Sequence, residues 1–308
     1  MGCSSNQFFG GHFELEENMF NYYRYIVAFL GFLVHFNIFQ TRMNLYIGII
    51  EMSGSTHFNW TENEQATIMS SYFYGYMIPM AFCGSLVAVC GAKTLSVYGT
   101  VFAGLLTAVF PYVMKHNFTA GFIIRLLTGI VHAPIQPAMQ EMLIPWSPHN
   151  EYTRLYFIQV SGSLIGNFVS FFIGGTFIAL FGWENLFIIG GVFSIVTGLL
   201  YKILVELSPE ECKFVNAEEV KFIRLAFTKL FSKTFFSEFR LEFKSSTPKK
   251  SIPYCEILTS VPLWSINVAF FNMGIMHAFF TNVFSKYLMD NLDLSVQTVG
   301  QLTSTDFN

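Results

Sequence analysis

The 308 residues carry 17 Lys and Arg against 20 Asp and Glu, and they are 53% hydrophobic but only 12% charged, with a mean hydropathy of +0.47. Such a composition argues against a soluble domain and describes an integral membrane protein. A net charge of −3 without a concentrated basic face argues against a nucleic-acid partner, and Cys3, Cys83, Cys90, Cys212 and Cys255 lack the CxxC spacing of a zinc centre or a disulfide framework.

In chain order, Met1-Gly2-Cys3-Ser4-Ser5 has the outline of an acylation signal, but Asn6 stands where Ser or Thr is required. Residues 1–24 are read as an unmodified cytoplasmic tail, and no cleavable signal peptide is evident. Apolar runs long enough for a hydrocarbon core of roughly 30 Å follow at 25–50, 67–90, 95–114, 118–143, 156–180, 185–205 and 259–284. The expected division is a six-helix bundle over 25–205, a cytoplasmic loop over 206–256, and the start of a second bundle over 257–308. Six spans, a long charged loop and then a further span is a half-transporter pattern. Within the loop, 217–244 mixes Val220, Ile223, Phe227 and Leu230 with charges, as an amphipathic helix does. It is expected to rest on the ends of the bundle or along the membrane surface.

Arg24, Lys93, Arg154, Lys202 and the loop cations share one side if the N-terminus is cytoplasmic, which leaves Lys115 and Lys286 outside. The sequons at Asn59 and Asn117 then fall outside as well, and Asn59 is the expected glycosylation site. A seven-helix receptor would reverse this charge bias, and the third span does not end in Asp-Arg-Tyr.

Two arginines at bilayer depth carry the functional reading. Arg42 lies nine residues before Glu51, and Arg125 eight residues after Asn117. At about 1.5 Å per residue both sit roughly 12–13 Å from the same side. A guanidinium there costs roughly 2.5–3.5 kcal/mol and cannot escape by deprotonating. Neither span offers a carboxylate at that depth, so each arginine either clamps backbone carbonyls or awaits an anionic substrate. His132 and Gln136 follow Arg125 by seven and eleven residues, on the same helix face. His132 is the candidate for handling a coupling proton, and Gln136 for substrate contact. Pro134 and Pro137 remove backbone donors from that helix and predict a kink. His35 reads as a packing residue. Tyr72, Tyr74 and Tyr76 cannot all face one cavity, and Gly162, Gly166, Gly174 and Gly175 predict close helix approach in the fifth span. With no catalytic triad, HExxH or phosphate-cradling glycine loop, the chain is not expected to be an enzyme, and no cofactor or metal site is expected.

The strings Arg42-Met43-Asn44-Leu45, Phe58-Asn59-Trp60, Ser71-Tyr72-Phe73-Tyr74-Gly75-Tyr76, Arg125-Leu126-Leu127-Thr128-Gly129, Pro137-Ala138-Met139, Trp146-Ser147-Pro148 and Ser208-Pro209-Glu210-Glu211 occur in an order and spacing that resemble the anion:cation symporter family of the major facilitator superfamily. That family includes sialin, vesicular glutamate transporters and sodium-dependent phosphate cotransporters. The resemblance implies an all-α, polytopic helical membrane protein with an N-terminal six-helix bundle and one helix of the C-terminal bundle. It also implies that Arg42, Tyr76 and Arg125 line an anion site. Three positions depart from the family pattern. His132 stands where many members have a glutamate tied to proton coupling, Met273 where the glutamate transporters have an arginine, and Ala88-Val89 where a gating motif has an acidic residue.

The expected function is secondary active transport of a small organic or inorganic anion, coupled to H+ or Na+ in the full-length form, in the plasma membrane or a lysosomal or vesicular membrane. The chain reads as ending after the seventh helix, so the alternative expectation is a transport-incompetent short form that associates with other membrane proteins.

Overall fold

The computed structural model describes residues 22–54, 60–148, 150–230 and 259–279. Among them the helices are α1 (Tyr23–Gly54), α2 (Glu62–Met80), α3 (Cys83–Cys90), α4 (Ala92–His116), α5 (Phe118–His132), α6 (Ile135–Leu143), α7 (Tyr152–Phe181), α8 (Trp183–Leu204), α9 (Ala217–Leu230) and α10 (Val261–Ala278), with a 3-10 turn at Ile144–Trp146 and no strand. Five stretches are long and apolar enough to cross a membrane: α1 to Ile49, α4, α5 with α6 and the 3-10 turn, α7 and α8. The pair α2 and α3 supplies a sixth, bent by 67°. These are the six expected spans of the first bundle. The seventh expected run holds α10, whose apolar stretch Val261–Met276 is shorter than the others, and the rest of 259–284 lies outside the described residues.

Local chemistry explains the boundaries. Thr61 caps α2 and exchanges hydrogen bonds with Glu64 in a capping box, so this helix begins five residues before the apolar run at 67. The run expected to be continuous to residue 90 breaks after Pro79, which has no N–H for the carbonyl of Gly75. Asn117 starts α5 by accepting from the backbone N–H groups of Thr119 at 2.9 Å and Ala120 at 3.4 Å. At the proline pair, where a kink is expected, the helix is interrupted for two residues within one membrane-crossing stretch: α5 ends at His132 and α6 starts beyond Pro134.

Glycines set how closely the helices lie. A Cβ on Gly162 would stand 2.1 Å from the carbonyl oxygen of Phe32, and one on Gly166 would stand 2.7 Å from that of Phe36. These positions therefore let α7 lie against the α1 backbone. Gly75 and Gly129 do the same for α2 and α5, against Leu126 and Tyr72. Gly175, grouped with them from its spacing, faces open space instead.

Two large apolar clusters fill the bundle, beside a small one of Ala28, Leu143 and Leu155. One gathers Val27, Leu30, Val34, Ile38, Met139, Trp146 and Tyr201 towards the start of α1, and the other gathers Leu45, Met52, Ile68, Phe110 and Phe187 towards its end. The polar residues of α1 between Ile38 and Leu45 occupy the layer between them.

At the end where α1 begins, Arg24 donates to Glu151 at 2.7 and 3.2 Å and to Glu219 at 3.3 Å. Glu219, 1% exposed, also accepts the backbone N–H groups of Tyr23 and Arg24, both at 3.1 Å. The carboxylate thus closes the N-terminus of α1, where the helix dipole favours an anion. With Ile223 also buried, α9 docks on the bundle end, and the remainder of the amphipathic stretch expected to residue 244 lies outside the described residues. Lys93 pairs with Glu206 at this end and Lys115 with Glu184 at the other. Glu219→Ala is expected to lower stability by about 2 kcal/mol, because Arg24 and two N–H groups lose a buried charged acceptor. A thermal melt of the variant checks this.

Candidate functional site

Arg125 is 2% exposed. It reaches from α5 to α1, donating through Nη1 to the carbonyl of Thr41 at 3.1 Å and through Nη2 to that of Arg42 at 3.4 Å. Its guanidinium carbon lies 5.5 Å from the centroid of the Tyr72 ring and 5.8 Å from that of Phe110. The carbonyl clamp weighed from the sequence is therefore present for this arginine, while its Nε is buried without a partner.

Arg42 differs. Its guanidinium carbon lies 4.5 Å from the Phe39 ring and 5.7 Å from the Phe73 ring. Its Nε is also buried and unpartnered. Among the described residues no carboxylate pairs with either arginine. Burying charged donors without satisfying them is costly, and an anion is the group that satisfies them.

The other expected residues adjoin this pair. Tyr76, half-buried, donates its hydroxyl to Oε1 of Gln136 at 3.4 Å. His132, 2% exposed, places Nδ1 3.1 Å from the hydroxyl of Tyr72. The Tyr72 and Tyr76 rings stack with centroids 6.0 Å apart. A connected set therefore runs from Arg125 through Tyr72 to His132, and from Tyr72 through Tyr76 to Gln136, while Arg42 joins it through its backbone carbonyl, which accepts from Arg125. Tyr74, 53% exposed, points away from it. His35 packs as expected, its Nδ1 3.0 Å from the Gly31 carbonyl.

Sequence reasoning missed Tyr72, the residue through which these contacts pass, and Tyr46, which lies within electrostatic range of both arginines. The spacing of four between Tyr72 and Tyr76 was a usable signal, since residues four apart share a helix face. Asn59, the expected glycosylation site, lies outside the described residues.

An all-α bundle of membrane-crossing helices, with a cationic, aromatic-lined centre between apolar ends, defines a polytopic membrane protein. The sequence model of the Major Facilitator Superfamily matches residues 25–305, and the chain belongs to that superfamily. Sialin of Ovis aries is 25% identical over 92% of this chain and 60% of its own length. Vesicular glutamate transporter 3 of Danio rerio is 26% identical over 80% of this chain and 42% of its own length. Sodium-dependent phosphate transport protein 3 of Mus musculus is 22% identical over 92% of this chain and 63% of its own length. These relatives are the kinds of transporter the sequence resemblance named, and the chain spans about 60% of the length of the first of them.

Proposed function

We propose that the chain supplies the anion-recognising half of a secondary active transporter for organic or inorganic anions. Arg42, Arg125, Tyr76 and Gln136 contact the substrate, and His132 serves as the coupling residue. The observation that carries this reading is the Arg42–Arg125 pair, two cations in the polar middle of a membrane bundle without a carboxylate among the described residues. Arg125 uses α1 carbonyls to hold its position, and Arg42 keeps its donors for the ligand. The tyrosine pair and Gln136 extend the site with neutral hydrogen-bonding groups. Relatives named for glutamate and phosphate transport support an anionic substrate. The division into a bundle over 25–205, a loop over 206–256 and a second bundle from 257, with a cytoplasmic N-terminus, belongs to the same proposal.

The test uses the 308-residue protein in lipid nanodiscs, with phosphate and glutamate as probes and thermal unfolding as readout. A ligand at a hundred times its Kd stabilises by about 2.7 kcal/mol, so a saturable rise in Tm is expected with at least one probe. No rise with either overturns the reading.

His132 contacts Tyr72 of α2, with Arg125 on its own helix and Arg42 on α1 as the neighbouring cations. A proton gained there adds a charge that a bound anion offsets, so anion and proton favour each other's binding. Affinity for the anion is therefore expected to rise as pH is lowered, and His132→Gln is expected to flatten that profile. Identical profiles for the two proteins would return His132 to a packing role.

A further inference from the structure

From Thr41 to Ile49 of α1, Arg42 and Tyr46 are half-buried while every other residue is buried. They stand four residues apart, on one face of the helix, so both open onto the same space. A long side chain on a helix leans towards the helix N-terminus and covers the preceding turn. The Tyr46 ring therefore lies over the turn that holds Arg42, while the Arg42 guanidinium leans back over Phe39, 4.5 Å from the ring centroid. Tyr46 is within electrostatic range of Arg42, Arg125 and Tyr72.

The backbone fixes this relation. In a helix the N–H of Tyr46 turns back onto the carbonyl of Arg42, the same oxygen that accepts from Nη2 of Arg125 at 3.4 Å. Arg125 is thus tied to the turn that Tyr46 closes. Two other phenols adjoin the arginines, and both have engaged hydroxyls: Tyr72 meets Nδ1 of His132 at 3.1 Å, and Tyr76 donates to Gln136 at 3.4 Å. The Tyr46 hydroxyl makes no hydrogen bond among the described residues, and it is not sealed in as the Nε atoms of both arginines are. A phenol is protonated at neutral pH, so its O–H is a donor, and a hydroxyl without a partner in a water-poor region is costly.

We propose that Tyr46 is a substrate-contacting residue of the anion site, donating its hydroxyl to an oxygen of the anionic group that Arg42 and Arg125 attract. This role rests on the anion reading and adds a contact to it. A neutral O–H facing a charged oxygen makes a short, strong hydrogen bond, and it does so without adding a third buried charge to the pair of cations. The Tyr76 hydroxyl has to leave Gln136 before it can donate to a ligand. The Tyr46 hydroxyl has no bond to give up, so its whole contribution appears when the anion binds.

The experiment titrates phosphate and glutamate against the 308-residue protein in nanodiscs, following thermal unfolding of the wild type, Tyr46→Phe and Tyr74→Phe. Tyr46→Phe removes the hydroxyl and keeps the ring, and Tyr74, which points away from the site, controls for the exchange itself. Without ligand, Tyr46→Phe is expected to melt with the wild type, since its hydroxyl holds no partner. Its apparent Kd should rise about tenfold or more for whichever probe the wild type binds, the loss of one hydrogen bond to a charged group, while Tyr74→Phe keeps the wild-type affinity. Wild-type affinity in Tyr46→Phe overturns the proposal and leaves the anion reading standing. So does an equal loss in Tyr74→Phe, or a lowered ligand-free Tm in Tyr46→Phe, which would make the hydroxyl a structural group. A wild type that responds to neither probe overturns the anion reading itself, and this role with it.

Discussion

The Arg42→Ala protein is expected to melt at or slightly above the wild-type temperature while losing its response to phosphate and glutamate. The Arg42 side chain makes no hydrogen bond or ion pair among the described residues; it rests over the Phe39 and Phe73 rings, and its Nε is buried and unpartnered. Removing it therefore takes away little native stabilisation and relieves a desolvated charge. The ligand loses a charged partner in a water-poor site, which costs roughly 2–4 kcal/mol, or about 30-fold to 1000-fold in affinity. Arg125→Ala should lose the anion too, but it should also lower stability by about 1.5 kcal/mol, because the bonds to Thr41 and Arg42 tie α5 to α1. Arg125→Lys should fail for geometric reasons, since an ammonium cannot reproduce the planar fork that serves two carbonyls and leaves a face for the ligand. Anion affinity at the wild-type level in Arg42→Ala would remove the basis of the proposed site.

The second large effect is expected from one methyl group. A Cβ on Gly129 would lie 2.1 Å from the carbonyl oxygen of Tyr72 and 2.9 Å from the backbone N of Tyr76. Both obstacles are backbone, so neither can rotate away, and α2 must move off α5. Gly129→Ala is expected to cost about 3 kcal/mol or more. It should weaken anion binding as well, because the helix that moves carries Tyr72 and Tyr76 away from Arg125, His132 and Gln136. Gly175→Ala is the matched control. With nothing within 4 Å of its Cβ, it should be neutral or stabilise by roughly 0.5–1 kcal/mol through helix propensity. Tm and monodispersity measured side by side check both outcomes, and a Gly129→Ala protein as stable as the control would contradict the close α2–α5 packing.

Much of the layout was legible because bilayer thickness and turn-by-turn periodicity act on local sequence. Run length located the six spans, and Pro134 with Pro137 located the break between α5 and α6. The depth count aligned Arg42 with Arg125. In the structure Arg125 bonds to the carbonyl of Arg42 itself. The bend after Pro79 was not anticipated, because the residues around it are as apolar as the rest of the span, and hydropathy carries no information about a missing N–H. The early start of α2 was marked by Thr61 and Glu64, a polar cap that an apolar-run criterion passes over.

The site shows where local reasoning stops. Arg42, Arg125, His132 and Gln136 are conspicuous in the sequence because a buried charge, imidazole or amide is costly in an apolar span, and that cost is a property of the residue and its depth alone. Whether Arg125 clamps carbonyls and whether Tyr72 or Tyr74 faces it depend on how helices distant in sequence are rotated against one another. Backbone contacts at Gly129, Gly162 and Gly166 decide that rotation. By itself the sequence determined the membrane class, the spans and the depth of the two arginines. Only the tertiary structure decided that Arg125 spends donors on α1 while Arg42 keeps its own, because that outcome requires two helices to approach within hydrogen-bonding distance, and no local pattern encodes the approach.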